Sequence, residues 1–262
     1  MEDRTVRSVA IGAFILWLIW ALHPFLAKRM LIPWDPEIMG QWGDSFGGLS
    51  ALMSTLAFAA VFFTLRLQQR QIREAQRDQH IQRFESTYFE VLRLFREARD
   101  AVQYKYGDDY IKDRKMKPMF NVLASGSEAI RRANFEILWQ LENVTQEKID
   151  SSLVSMIYEK AVIDRYESTT GPYFRLLYTM LFRIKEDKLL TLSEKRRYAN
   201  LFRSQLSSHE VALAGFNGLN PVSKDLSDLI TEYRLLKYLP EDFGRSYLGK
   251  CYPKQAFEDR PD

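Results

Sequence analysis

The residues best suited to chemistry fall in the second half of the chain. Leu206-Ser207-Ser208-His209-Glu210 sets a hydroxyl three positions before a carboxylate, with an imidazole between them. Ser207 and Glu210 have the spacing of a capping box, in which each side chain satisfies a free backbone N–H at a helix start. That predicts a helix over 208–215. Arg203 stands six residues before His209, an R-x5-H spacing. Tyr173-Phe174-Arg175 and Tyr178 combine a guanidinium with aromatic faces, so Arg175 can stack on Tyr178, pair with Glu85 or Glu210, or hold a phosphate. Glu85, and likewise Arg96 or Arg99, can pair with partners from later helices. Glu85, Tyr173, Arg175, Tyr178, Ser207 and Glu210 therefore form one candidate polar network, structural or ligand-binding. Asp44 precedes Gly47 and Gly48 at the head of an apolar stretch. A carboxylate there can accept from the free N–H groups of a helix start, or face an ion at a pore mouth.

Composition narrows the chemistry further. Lys plus Arg is 37 and Asp plus Glu is 34, a net charge of +3, too even to argue for nucleic-acid binding from charge alone. His23, His80 and His209 lie far apart with no HExxH pairing, and the single cysteine, Cys251, excludes an internal disulfide and any multi-cysteine zinc site. No metal and no cofactor is expected.

The elements that must carry these residues divide sharply. Residues 9–27 contain no charge, nor do residues 45–65, and four of the five tryptophans (Trp17, Trp20, Trp34, Trp42) fall in the first 42 positions. The stretch 9–26 spans roughly 27 Å as a helix, close to a hydrocarbon core. Its Val, Ile, Leu and Phe residues supply about −3 to −6 kcal/mol towards insertion. The stretch 46–65 is diluted by small residues in register: Gly47, Ala51 and Thr55 are spaced by four, as are Ser50 and Ser54. Such a strip lets membrane helices approach closely, against the first span or a second protomer. Asp44, Gly47, Gly48, Ala51, Ser54 and Thr55 are the expected contact residues of this hairpin. A cleaved signal peptide fits poorly, because the first apolar run exceeds the usual roughly 7–15 residues and Met1-Glu-Asp-Arg4 is not a basic start. Only Lys28 and Arg29 lie in the connector, whereas Arg66, Arg70, Arg73 and Arg77 follow the second stretch, which places both chain ends in the cytoplasm.

From Leu65 the chain runs to His80 without Gly or Pro, which predicts a helix leaving the membrane and continuing to about Arg99, its first part a solvated stalk or weak coiled coil. Ile81, Phe84, Tyr88, Leu92, Phe95 and Ala98 then recur at three and four, a buried stripe. Residues 102–118, with Tyr104, Tyr106, Tyr110 and a basic run, read as a surface loop. Further helices are expected over 128–142, 146–166, 172–184 with Gly171-Pro172 at the start, 191–202 with a Thr191/Glu194 capping box, and a last helix capped by Ser223 that contains Leu226 to Leu236. Asn217-Gly and Asn220-Pro read as turns. No alternating strand stands out. The expected architecture is all-α: a transmembrane hairpin over 1–65 (spans 9–26 and 46–65), a helical stalk over 66–80, a cytosolic helical bundle over 81–250 and a tail over 251–262.

Several ordered blocks resemble the phage abortive infection proteins of the AbiC type: Gly43-Asp44-Ser45-Phe46-Gly47-Gly48; Gln82-Arg83-Phe84-Glu85-Ser86-Thr87-Tyr88-Phe89; Gly126-Ser127-Glu128-Ala129; Gly171-Pro172-Tyr173-Phe174-Arg175-Leu176-Leu177-Tyr178; Tyr198-Ala199; Leu206-Ser207-Ser208-His209-Glu210; and Tyr233-Arg234-Leu235-Leu236. The resemblance implies a bacterial defence protein that limits phage spread at the cost of the infected cell, and implies no catalytic residue set; with the apolar spans, the expected location is the bacterial inner membrane. The R-x5-H spacing separately resembles HEPN ribonucleases, in which an arginine and a histidine at a dimer interface polarise a phosphate and activate a 2′-hydroxyl. Three functions follow as expectations. The first is a non-enzymatic effector, a homo-oligomer in the lipid bilayer, whose cytosolic domain senses a phage component and perturbs the membrane. The second is a tethered RNase using Arg203 and His209, the one reading with a nucleic-acid partner. The third is a scaffold for a partner defence protein.

Overall fold

The computed structural model describes residues 11, 12, 14, 15, 17–19, 22, 36–117, 119 and 121–258. Helices dominate, as the sequence implies, and among the described residues the one strand pairing is a two-residue antiparallel ladder. The chain divides into two compact units, Met1–Glu74 and Ala75–Asp262.

In the first unit, only eight positions of the expected span 9–26 are described, all helical. The rest of that span, the connector with Lys28, Arg29 and Trp34, and hence the hairpin itself lie outside the described residues. Helix α1, Pro36–Ala101, starts ten residues before the expected second span. Pro36 at the first helical position, where a missing N–H costs nothing, and Glu37 in the first turn supply the start signals instead of Asp44. Asp44 is therefore an exposed side chain within the helix and not its cap. Leu52, Leu56, Phe58, Val61, Phe62 and Phe63 are all exposed, Phe58 at 72%. Among the described residues this is the one helix long and apolar enough to cross a membrane. Both threonine hydroxyls of the stretch are satisfied within the helix: Thr55 donates to the Ala51 carbonyl and Thr64 to the Ala60 carbonyl, both at 2.8 Å, which lowers the cost of taking them out of water.

In the second unit the expected stripe is buried at Phe84, Tyr88, Leu92 and Phe95. It packs aromatic against aromatic: Phe84 and Tyr88 lie 4.9 and 5.4 Å from Tyr198, and Phe95 lies 4.9 Å from Tyr173 and 5.1 Å from Phe202. The segment read as a surface loop is instead part of this core. Tyr104 is fully buried, Val102 and Tyr110 nearly so; β1 (Gln103–Tyr104) pairs with β2 (Ala124–Ser125), and α2 (Asp108–Asp113) follows. The tyrosines mislead because their polarity is neutralised locally. Arg165 lies 5.1 and 5.2 Å from the Tyr104 and Tyr166 rings, donates to the Lys105 carbonyl, and pairs at 2.9 Å with Glu136, which also accepts from Gly107 N–H at 2.9 Å.

Helix α3 (Gly126–Glu142) matches expectation, but the expected helix 146–166 is broken. Asp150 caps α4 (Ser151–Tyr158) by accepting from Leu153 N–H at 2.8 Å, and a π-helical turn, Glu159–Ile163, leads into α5 (Asp164–Glu186). The backbone kinks at Tyr166 (φ −140°, ψ 21°), so Pro172 sits inside α5 and not at its start. Helix α6 (Leu192–Arg203) has both halves of the Thr191/Glu194 capping box, and α7 (Ser208–Gly218) both halves of the Ser207/Glu210 box. Every residue of α7 from Glu210 onward is buried, Asn217-Gly218 included, so that pair continues the helix and is not a turn. A helix apolar on all sides belongs at the centre, and α3, α4 and α8 (Lys224–Glu232) surround it. Gly215 permits that closeness: a Cβ there would stand 2.7 Å from Leu248 Cδ1 and 3.2 Å from Leu236 Cδ2. Asn220, not Ser223, makes the capping bond before α8, accepting from Val222 N–H. Helix α8 ends at Glu232 because Arg234 turns left-handed (φ 52°), so Leu235 and Leu236 fall in a separate 3-10 turn. Helix α9 (Arg245–Cys251) follows, and Tyr252 and Ala256 complete the core.

Candidate functional site

Two arrangements hold five of the six residues of the candidate network. The first is centred on Glu210, only 2% exposed. Its Oε1 accepts from Arg99 Nε at 2.6 Å and the Tyr173 hydroxyl at 3.0 Å, while Oε2 accepts from Ser207 N–H at 2.8 Å. Arg99 also donates to the Gln205 carbonyl at 2.7 Å, and Arg96 to Gln205 Oε1 at 2.6 Å. One carboxylate thus joins the last turn of α1, the middle of α5 and the start of α7. Burial first, then the adjacent Glu210 charge, pushes the Tyr173 hydroxyl well above its ordinary pKa, so it donates and stays neutral. Of the candidate network, Tyr173, Ser207 and Glu210 meet here. Glu85 accepts from the Tyr198 hydroxyl at 2.7 Å, a separate contact.

Arg175 does not join them. It is 69% exposed and pairs at 3.4 Å with Glu167, neither with Glu85 nor with Glu210, and Tyr178 stacks on Phe182 at 5.4 Å. The reason is register: Tyr173 takes the inward face of α5, so Arg175, two positions on, faces outward. Gly171 leaves the space this ion pair crosses, since a Cβ there would stand 2.5 Å from Glu167 Oε1.

Arg175 and Tyr178 belong to the second arrangement, a cleft of about 440 Å³ walled by the π-helical turn, α5, the end of α7 and the start of α8. Its aromatic wall is Tyr158, Phe174 and Tyr178; its carboxylates are Glu159, Glu167 and Asp225. Asn217 accepts from the Tyr158 hydroxyl at 3.1 Å and Asn220 accepts from Val222 N–H at 3.1 Å. π-Turns inside helices frequently mark functional sites. Sequence reasoning missed Tyr158, Glu159, Asn217 and Asn220. The one available signal was two asparagines beside apolar positions, at 217 and 220, where turn chemistry was the simpler explanation.

Arg203 and His209 occupy different surroundings, and no hydrogen bond or ion pair joins them among the described residues. Arg203 lies 4.9 Å from the Tyr238 ring in a smaller cleft of about 300 Å³ that Ser204 and Ser208 also line. His209 is set between Phe243 at 4.4 Å and Phe135 at 5.2 Å, with Nδ1 3.1 Å from Asn134 Nδ2. Burial, followed by the Arg131 charge and opposed by Glu128, holds its pKa below the usual 6.5. In the first unit, Gly47, Ala51, Ser54 and Thr55 are exposed along α1 together with Asp44.

Arg99→Met leaves the Glu210 carboxylate buried without its cation, which should cost about 3–5 kcal/mol, whereas Arg175→Ala removes an exposed pair and should cost roughly 0–1 kcal/mol. Thermal unfolding of the full chain in detergent separates the two. His209 gives a pH signature. The folded state resists protonation, so its stability is full above the unfolded value near 6.5 and falls as pH drops through it towards the lower folded value. His209→Gln should flatten that part of the stability profile; an unchanged slope would show that the ring is not held neutral.

No curated protein and no solved structure matches the chain. Residues 39–94 match a family of unknown function (DUF6082), which takes in the Gly43–Gly48 and Gln82–Phe89 blocks. Residues 165–243, which hold Tyr173, Arg175, Tyr178, Arg203, Ser207, His209, Glu210 and most of the cleft, match the family described as "Putative phage abortive infection protein", the family that the ordered blocks resemble.

Proposed function

We propose that the chain is a membrane-anchored phage-defence protein whose helical domain senses infection and acts through its apolar segments, assembled as a homo-oligomer. The observation that carries this is α1. One helix holds an exposed apolar stretch and then the first buried stripe of a domain that matches an abortive infection family over 165–243. Exposed Leu, Phe and Val at this density cost free energy in water and are neutral or favourable in lipid. A first span over 9–26 would return the chain ends to the cytoplasm, in keeping with the Arg66, Arg70, Arg73 and Arg77 side chains that follow residue 65. The Gly47, Ala51 and Thr55 strip then offers close packing to the first span or to another protomer.

The RNase reading is the runner-up. In its favour, Arg203 has no carboxylate partner among the described residues, and burial lowers the His209 pKa, which favours the neutral form a general base needs. It requires a second protomer to bring the two groups onto one phosphate. A scaffold for a partner defence protein would give no protection when expressed alone.

Phage challenge with a voltage-sensitive dye decides among them. Infected cells carrying the chain should depolarise before lysis, and His209→Ala, once shown to fold, should keep protection. Protection without any change in membrane potential removes the membrane mechanism, and loss of protection in a folded His209→Ala variant favours the nuclease.

A further inference from the structure

The cleft beside the π-helical turn is chemically lopsided. Three carboxylates, Glu159, Glu167 and Asp225, face one guanidinium, Arg175, which is already paired with Glu167. A phosphate or carboxylate ligand would enter against net negative charge. Yet the deeper wall offers donors. Asn217 and Asn220 are only 6% and 4% exposed; each uses its side-chain carbonyl within the fold, and neither Nδ2 amide donates a hydrogen bond among the described residues. Neither amide is sealed off from the cleft, so each is free to donate to an acceptor brought from outside. Phe174 and Tyr178 add ring surface to which a cation is attracted.

A ligand that satisfies both halves must carry positive charge and carbonyl oxygens together. We propose that this cleft binds a basic peptide segment, with main-chain carbonyls accepting from Asn217 and Asn220 and an arginine or lysine side chain set against Glu159 and Asp225. A simple alkyl cation answers only the carboxylates, and a nucleotide answers only the amides. The binding step stands on the residues of the cleft; its role as the infection-sensing event rests on the reading given above.

The full chain in detergent is titrated calorimetrically with acetyl-arginine N-methylamide, acetyl-glutamate N-methylamide and butylguanidinium. The arginine peptide should bind, butylguanidinium should bind more weakly, and the glutamate peptide should not bind. Glu159→Gln and Asp225→Asn, both at exposed positions, should each weaken the arginine peptide roughly threefold, and about tenfold together. No binding of the arginine peptide, equal binding of the glutamate peptide, or indifference to both substitutions overturns the proposal. Equal binding of butylguanidinium overturns the role of the asparagines. Calorimetric binding that persists where infected cells show no depolarisation supports the site while counting against the membrane mechanism, so the two fail separately.

Discussion

The second unit is organised around a buried negative charge. Glu210, with its side chain nearly excluded from water, is tolerable only if a cation and further donors reach it. Arg99, Tyr173 and the Ser207 N–H do so, and each arrives on a different stretch of chain. Their meeting fixes where the last turn of α1 ends, which face of α5 turns inward, and where α7 begins. Replacing any one partner leaves the carboxylate short of what water would have given it, so the three elements hold together or separate together.

Helix α7 carries that constraint through the core. It begins at the Glu210 cluster and ends at Asn217 in the cleft wall, a rise of roughly 10 Å over the intervening residues. Close packing on every side, enforced by Gly215 against Leu248 and Leu236, leaves this helix little freedom to bend on its own. A ligand bound by Asn217 therefore acts on the same rigid element whose other end holds Arg99 of α1. That is a physical route by which an event at the cleft can bias the end of the long helix, and it requires no catalytic group.

Much of the fold was legible because its signals are local. Both capping boxes, Thr191/Glu194 and Ser207/Glu210, are formed by side chains three residues apart, and the Phe84, Tyr88, Leu92, Phe95 stripe follows helical period. What was not legible depended on distant partners. Tyr104 and Tyr110 read as surface residues until Arg165 and Glu136 arrive to neutralise that segment. Arg175 was expected in the buried network, but the inward face of α5 goes to Tyr173. The break at Tyr166 and the π-helical turn have no single-residue signature, so the cleft they form could not be read from spacing. Asn217-Gly218 has the composition of a turn, but the all-round burial of α7 overrides that preference.

The apolar run of α1 is exposed over successive turns, from Leu49 to Leu67, whereas in the second unit Phe84, Tyr88, Leu92 and Phe95 of the same helix are covered. Defence at the membrane, as proposed, depends on that run lying in lipid. The most direct measurement is the partition of the full-length protein after detergent-free lysis and an alkaline carbonate wash. The account predicts that it stays in the membrane pellet, that Leu56→Arg and Phe63→Arg together release part of it, and that detergent is needed to recover it intact. Recovery of the intact chain as a monodisperse species in the supernatant would contradict the account.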